Sequence, residues 1–131
     1  MTAKLEHEEI ERQTFKAGEY IFREGESGLH FYIIENGQVG IFTTGKTGQK
    51  VEITTIYEGE SFGEFALLDN RPRSASAQAV TDVAVVKVSQ AGYESMVEEL
   101  PLWATCMMKS MIARLRKMNE LLKESDQFLK R

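Results

Sequence analysis

Phe31 to Ile56 reads F-Y-I-I-E-N-G-Q-V-G-I-F-T-T-G-K-T-G-Q-K-V-E-I-T-T-I. Three apolar or β-branched runs, Phe31–Ile34, Val39–Phe42 and Val51–Ile56, are divided by glycine-bearing turns, which is the punctuation of short strands rather than of helices. Asn36-Gly37 is the favoured type I′ pair, so the first two runs are expected to form a hairpin. Gly45 to Gly48 supplies a second turn before the third run. Upstream, Phe15, Gly18, Tyr20-Ile21-Phe22, Gly25 and Gly28 continue the alternation of strand and turn; downstream, Ser74 to Val80 alternates small and polar residues and Val83 to Val88 is apolar. About eight short strands with no long helix between them imply an antiparallel sandwich or barrel.

The two ends of the chain read differently. Glu6 to Glu11 is a polar, acid-rich segment with Leu5 and Ile10 as its sizeable apolar residues, expected to be a short N-terminal helix. After the strands, Ser89 is placed to cap a helix running to about Leu100, with Tyr93, Met96 and Val97 on one face. Pro101 separates it from a longer helix expected from Leu102 to Leu129. In that helix Met108, Met111, Leu115, Met118, Leu122, Ser125 and Leu129 recur at alternating steps of three and four residues. The period is that of a seam packed against another helix, and a homodimer through it is expected. Met107, Leu121 and Phe128 lie beside the seam, on the side open to the strands, and Trp103 reads as a packing residue at the hinge.

A chain of 131 residues, 42% hydrophobic and 27% charged, is one domain's worth of ordinary globular composition. Its boundaries are 1–131, with the strands over about 14–88 and the C-terminal helices over about 89–129. The net charge of −4 excludes a non-specific nucleic-acid surface, which needs clustered positive charge. Cys106 stands alone, which removes disulfide frameworks and structural zinc; it reads as a buried thiol. His7 and His30 form no metal-ligand spacing, and no catalytic constellation is legible, so a non-enzyme is expected. The acidic start is unlike a signal peptide, and no stretch approaches the roughly 18 apolar residues of a membrane span, so the cytoplasm is the expected compartment.

Within this frame one stretch carries chemistry: Glu60 to Ala77, E-S-F-G-E-F-A-L-L-D-N-R-P-R-S-A-S-A. Gly63 lets a ligand oxygen approach the main chain, and a helical turn beginning just after it aims free N–H groups outward. Arg73 adds a fork of donors suited to two oxygens of one phosphate, and Pro72 restricts the path of the chain into it. Glu64 would repel a phosphate but can accept hydrogen bonds from sugar hydroxyls. A phosphate and a ribose side by side make a nucleotide.

The segment F-G-E-F-A-L-L-D-N-R-P-R-S-A resembles the phosphate-binding cassette of the cyclic nucleotide-binding domain family, matching it at Phe62, Gly63, Glu64, Ala66, Leu67, Leu68, Pro72, Arg73, Ser74 and Ala75. The resemblance implies a mostly β fold: an antiparallel β-roll, jelly-roll-like, with a short N-terminal helix and a long C-terminal one. It also implies that Glu64 holds the ribose 2′-hydroxyl, that Arg73 holds the cyclic phosphate, and that backbone amides at Gly63, Glu64 and Ser74 contact phosphate or sugar. By the same resemblance, Met118 and Asn119 fall where the family has base-contacting residues, Asn119 with an amide able to pair with a purine edge. The candidate ligand-binding set is therefore Phe62, Gly63, Glu64, Phe65, Ala66, Arg73, Ser74, Ala75 and Asn119.

The implied function is a regulatory sensor that binds cyclic AMP in preference to cyclic GMP, needs no other cofactor, and moves its terminal helix for a downstream protein. The alternative is a dimerisation or adaptor module of the same fold without that ligand. Some relatives sense through iron–sulfur clusters, which need more cysteines than Cys106. Bacterial relatives carry a helix-turn-helix after the long helix; this sequence ends at Lys130-Arg131, so it is expected not to bind DNA by itself.

Overall fold

The computed structural model describes residues 10–64, Ala66 and 72–129, with backbone alone at 119 and 122–129. The chain divides between Ser95 and Met96 into two compact units. The first holds eight strands among the described residues: β1 Ile10–Phe15, β2 Tyr20–Phe22, β3 His30–Asn36, β4 Val39–Thr44, β5 Lys50–Ile56, β6 Ser61–Phe62, β7 Ser76–Ala79 and β8 Val83–Ser89. They form two four-stranded sheets, ordered β1-β8-β3-β6 and β2-β7-β4-β5, with every pairing antiparallel. Since most connections pass from one sheet to the other, this is a β-roll, as expected. Its core is the space between the inner faces, where Ile34, Val39 and Val85 are fully buried.

The expected hairpin across Asn36-Gly37 does not form. β3 pairs with β8 and β6, whereas β4 pairs with β5 and β7, so the turn carries the chain between sheets. Gly37 has φ 98°, and a Cβ on it would stand 2.4 Å from the carbonyl oxygen of Asp82. The glycine is thus explained by its fit against the β7–β8 corner, where Gln38 N–H donates to Thr81 Oγ1 and Val80 N–H to Gln38 O. Local turn chemistry cannot distinguish that corner from a hairpin. Gly45–Gly48 does close one, between β4 and β5, where Gly45 N–H bonds Gln49 O at 2.7 Å.

β1 is the second departure. Ile10 and Glu11, expected in the N-terminal helix, begin a strand paired with β8 from Ile10↔Val88 to Phe15↔Val83. The backbone edge of β8 selects this segment, whose polar side chains carry little periodicity of their own. The expected helix otherwise falls on residues 1–9, outside the described residues.

Ser89 caps the first helix, α1 Gln90–Glu98, through a bond from Gly92 N–H to its Oγ at 3.1 Å. Tyr93 meets Phe31 edge-on, with ring centroids 6.2 Å apart. In the second unit, α2 spans Leu102–Leu129. Pro101 opens it, its carbonyl accepting from Ala104 and Thr105. Met111, Leu115 and Met118 of the seam are exposed, but so are Met107 and Leu121 beside it. Trp103, expected to pack, is 69% exposed, and Cys106, expected to be buried, is exposed. Among the described residues nothing covers these side chains. Among the described residues no helix is long and apolar enough to cross a membrane.

Candidate functional site

The site begins with the β3 ladder. β6 has only two residues, fixed by Tyr32↔Phe62 and Ile33↔Ser61, and this register stacks the Phe62 ring on Tyr32 with centroids 5.2 Å apart. Phe22 of β2 lies 5.9 Å from both rings. Three aromatic side chains therefore close the core immediately before Gly63.

Gly63 itself has φ 84°, a conformation other residues rarely adopt, and the backbone becomes helical at Glu64 and Ala66. This is the tight turn the sequence implies. The Ser61 hydroxyl donates to the Glu64 carboxylate from across it, holding that group beside the turn.

Arg73 arrives from the other side. Its backbone is clasped by the β2–β3 turn: Arg73 N–H donates to Glu26 O, and Gly25 N–H to Arg73 O, each at 2.9 Å. Its side chain is only 5% exposed. Nη1 donates to Gly63 O and Nη2 to His30 O, both at 2.9 Å, and the guanidinium carbon sits 4.2 Å from the Phe22 ring centre. These bonds use two of the five donors a guanidinium carries.

The electrostatics are unusual. Burial pulls the Arg73 guanidinium below its ordinary value, against the opposing influence of Tyr32 and Glu26, but an arginine stays charged across the accessible range. Among the described residues no carboxylate forms a salt bridge with Arg73; Arg12 and Glu35 make theirs on the surface of the roll. A buried cation without a counter-ion is costly unless carbonyl dipoles and ring faces hold it. Here two carbonyls and the Phe22 ring hold it, an arrangement that can accept an anion as a further partner.

A cavity of about 250 Å³ opens beside these groups. Of the residues singled out in the sequence, Phe62, Gly63, Glu64, Ala66, Arg73, Ser74 and Ala75 line it. Phe65 lies outside the described residues, as does the side chain of Asn119 on α2. Phe22, Ile41, Thr54, Ile56 and Ser61 also line the cavity and were missed. Strand alternation marks most of them as inward-facing, but nothing local separates a cavity wall from a core contact. The carbonyl of His30 had no signal at all, since any residue supplies one.

Comparison with known proteins agrees with this fold. The family model for the cyclic nucleotide-binding domain matches residues 12–99. The chain is 35% identical over 107 residues to the cyclic AMP receptor protein of Thermus thermophilus, covering 82% of this chain and 50% of that protein. It is 40% identical over 83 residues to the cAMP-dependent protein kinase regulatory subunit of Emericella nidulans, covering 63% of this chain and 19% of that subunit. Among solved structures, the cAMP-bound form of the EAL enzyme Bd1971 superposes with a TM-score of 0.67 at 32% identity, covering 92% of this chain and 32% of that one; its cGMP-bound form matches at 0.69. The chain thus spans half or less of each protein to which it is matched here. With a β-roll, a glycine turn and a buried arginine all inside the matched span, this chain belongs to the cyclic nucleotide-binding domain family.

Proposed function

We propose that the domain is a sensor for a cyclic purine mononucleotide, with cyclic AMP favoured over cyclic GMP, and that occupancy is passed on through α2. The observation that carries this reading is the guanidinium of Arg73, without a carboxylate partner among the described residues and bound to the carbonyl of Gly63 at the edge of a cavity that also holds Glu64. The remaining donors of Arg73 take the cyclic phosphate, helped by the amides at Gly63, Glu64 and Ser74. Glu64, oriented by Ser61, accepts from the ribose hydroxyl. Phe62, Phe65, Ala66 and Ala75 complete the pocket, and Asn119 reads the base. Relatives named for cyclic AMP support the choice of ligand, while a cGMP-bound neighbour keeps guanine in the comparison.

On this reading no chemistry is performed: the ligand acts only by its preference for one helix arrangement over another. The exposed Met111, Leu115 and Met118 support a homodimer through α2, with a separate protein reading the change and no DNA bound by this chain alone. Calorimetric titration with cyclic AMP and cyclic GMP tests the site. Arg73→Ala is expected to lose roughly 2 to 5 kcal/mol of binding, about 30-fold or more. Unchanged affinity removes Arg73 from the site.

The same exposed stripe favours a second reading, a dimerisation or adaptor module without a nucleotide. Its thermal midpoint would ignore cyclic nucleotides, whereas a binder is stabilised by mass action.

A further inference from the structure

We propose that Gly28 is a positioning residue for the anion site: the room left by its missing side chain is the slot in which the Arg73 guanidinium lies. The inference rests on reading Arg73 as the phosphate contact. Gly18, Gly25, Gly37, Gly48, Gly59 and Gly63 have φ between 83° and 98°, where backbone conformation alone accounts for glycine. Gly28 is not among them, so its backbone would accept alanine. What sets it apart is its neighbour. A Cβ at Gly28 would stand 2.6 Å from Arg73 Nη2, 2.8 Å from Nε and 3.0 Å from Cζ.

The end of a flexible side chain usually steps aside from such a contact. This one is tied by Nη1 to Gly63 O and by Nη2 to His30 O, lies over the Phe22 ring and is 5% exposed. Nη2 is both the atom nearest the added methyl and the donor to His30 O. Relieving the contact therefore breaks that bond or lifts the whole group away from Phe22. Either moves the cation against the cavity, where a binding constellation tolerates about 0.5 Å of error. The glycine acts through Arg73 and needs no contact with a ligand.

The test is titration of cyclic AMP and cyclic GMP into the 131-residue chain, Gly28→Ala, Arg73→Lys and the double variant. Gly28→Ala is expected to weaken binding about tenfold or more, the value of one misplaced charge-assisted hydrogen bond. Added to Arg73→Lys it should cost less than about twofold, because lysine lacks Nη2, the atom nearest the added methyl, and an ammonium not tied to both carbonyls can step aside. No loss with Arg73 present, or equal losses in both backgrounds, overturns the proposal. A chain that binds neither nucleotide sinks the reading of the site, and the slot is then judged in the free protein by NMR. The Arg73 Nε–H signal, identified by its disappearance in Arg73→Lys, should shift and exchange faster with solvent in Gly28→Ala; an unchanged signal overturns the inference. If Gly28→Ala fails to fold while Arg73→Lys folds, the double variant should fold as Arg73→Lys does, and its failure refutes the slot.

Discussion

Arg73→Lys separates the charge of this residue from its shape, and the structure says what the shape is worth to the free protein. Arginine places two donors at once, on Gly63 O and His30 O, which tie the glycine turn to the start of β3. Hydrogen bonds from a charged group contribute about 1.5 to 3 kcal/mol each, and a lysine ammonium can reach one of the two carbonyls but not both. The contact of the guanidinium with the Phe22 ring adds about 0.5 to 1 kcal/mol that a point-like ammonium recovers only in part. At 5% exposure there is little solvent to compensate, so the loss is about 2 to 4 kcal/mol. With a urea slope of about 2 kcal/mol/M, the midpoint followed by circular dichroism falls by about 1 to 2 M. Arg12→Lys is the control: Arg12 pairs with Glu35 at 3.2 Å but is 79% exposed, so its variant should stay within about 0.3 M of the parent. If Arg73→Lys moves the midpoint no further than Arg12→Lys does, the guanidinium is not the brace described here.

Gly37→Ala must accept both φ 98° and a methyl 2.4 Å from Asp82 O, and should cost more than about 2 kcal/mol; Gly59→Ala, with φ 83° but open space, should cost about 1 kcal/mol in the same urea titration. His30 is held below its ordinary value of 6.5, first by burial and then by Lys87 and Arg73, with Glu11 opposing. The unfolded chain then binds more protons than the folded one as pH falls through 6.5, so stability should drop from about pH 7.5 towards about pH 5, and His30→Gln should flatten that part of the urea midpoint–pH curve. Leu115→Lys combined with Met111→Lys should shift a sedimenting dimer to monomer while leaving cyclic-nucleotide affinity within about twofold; a variant that remains dimeric removes α2 as the interface.

What could be read in the sequence was whatever depends on near neighbours along the chain. Most strands, the Ser89 cap, the break at Pro101 and the glycine turn at residue 63 are all written in a few adjacent residues, and the structure has them. What escaped depends on partners far away. Asn36-Gly37 has the composition of a hairpin, yet which strand lies beside β3 is decided by β8, whose fully buried Val85 comes much later in the chain. The six residues of β1 are strand because β8 has a free edge, not because I-E-R-Q-T-F prefers it.

The candidate site divides along the same line. Gly63, Glu64 and Arg73 belong to one short stretch and are distinctive residue types, so their chemistry is visible before any fold is known. The parts that hold Arg73 in place are generic by nature: a carbonyl at His30, a missing Cβ at Gly28, one aromatic face at Phe22 among many in the core. Such groups acquire meaning only when the roll brings β2, β3 and the segment before β7 together. A sequence motif can therefore name the groups that would meet an anion, while how firmly they are aimed is a property of the tertiary structure. Two domains with the same motif can differ in affinity for that reason alone, through residues that touch the arginine and never the ligand.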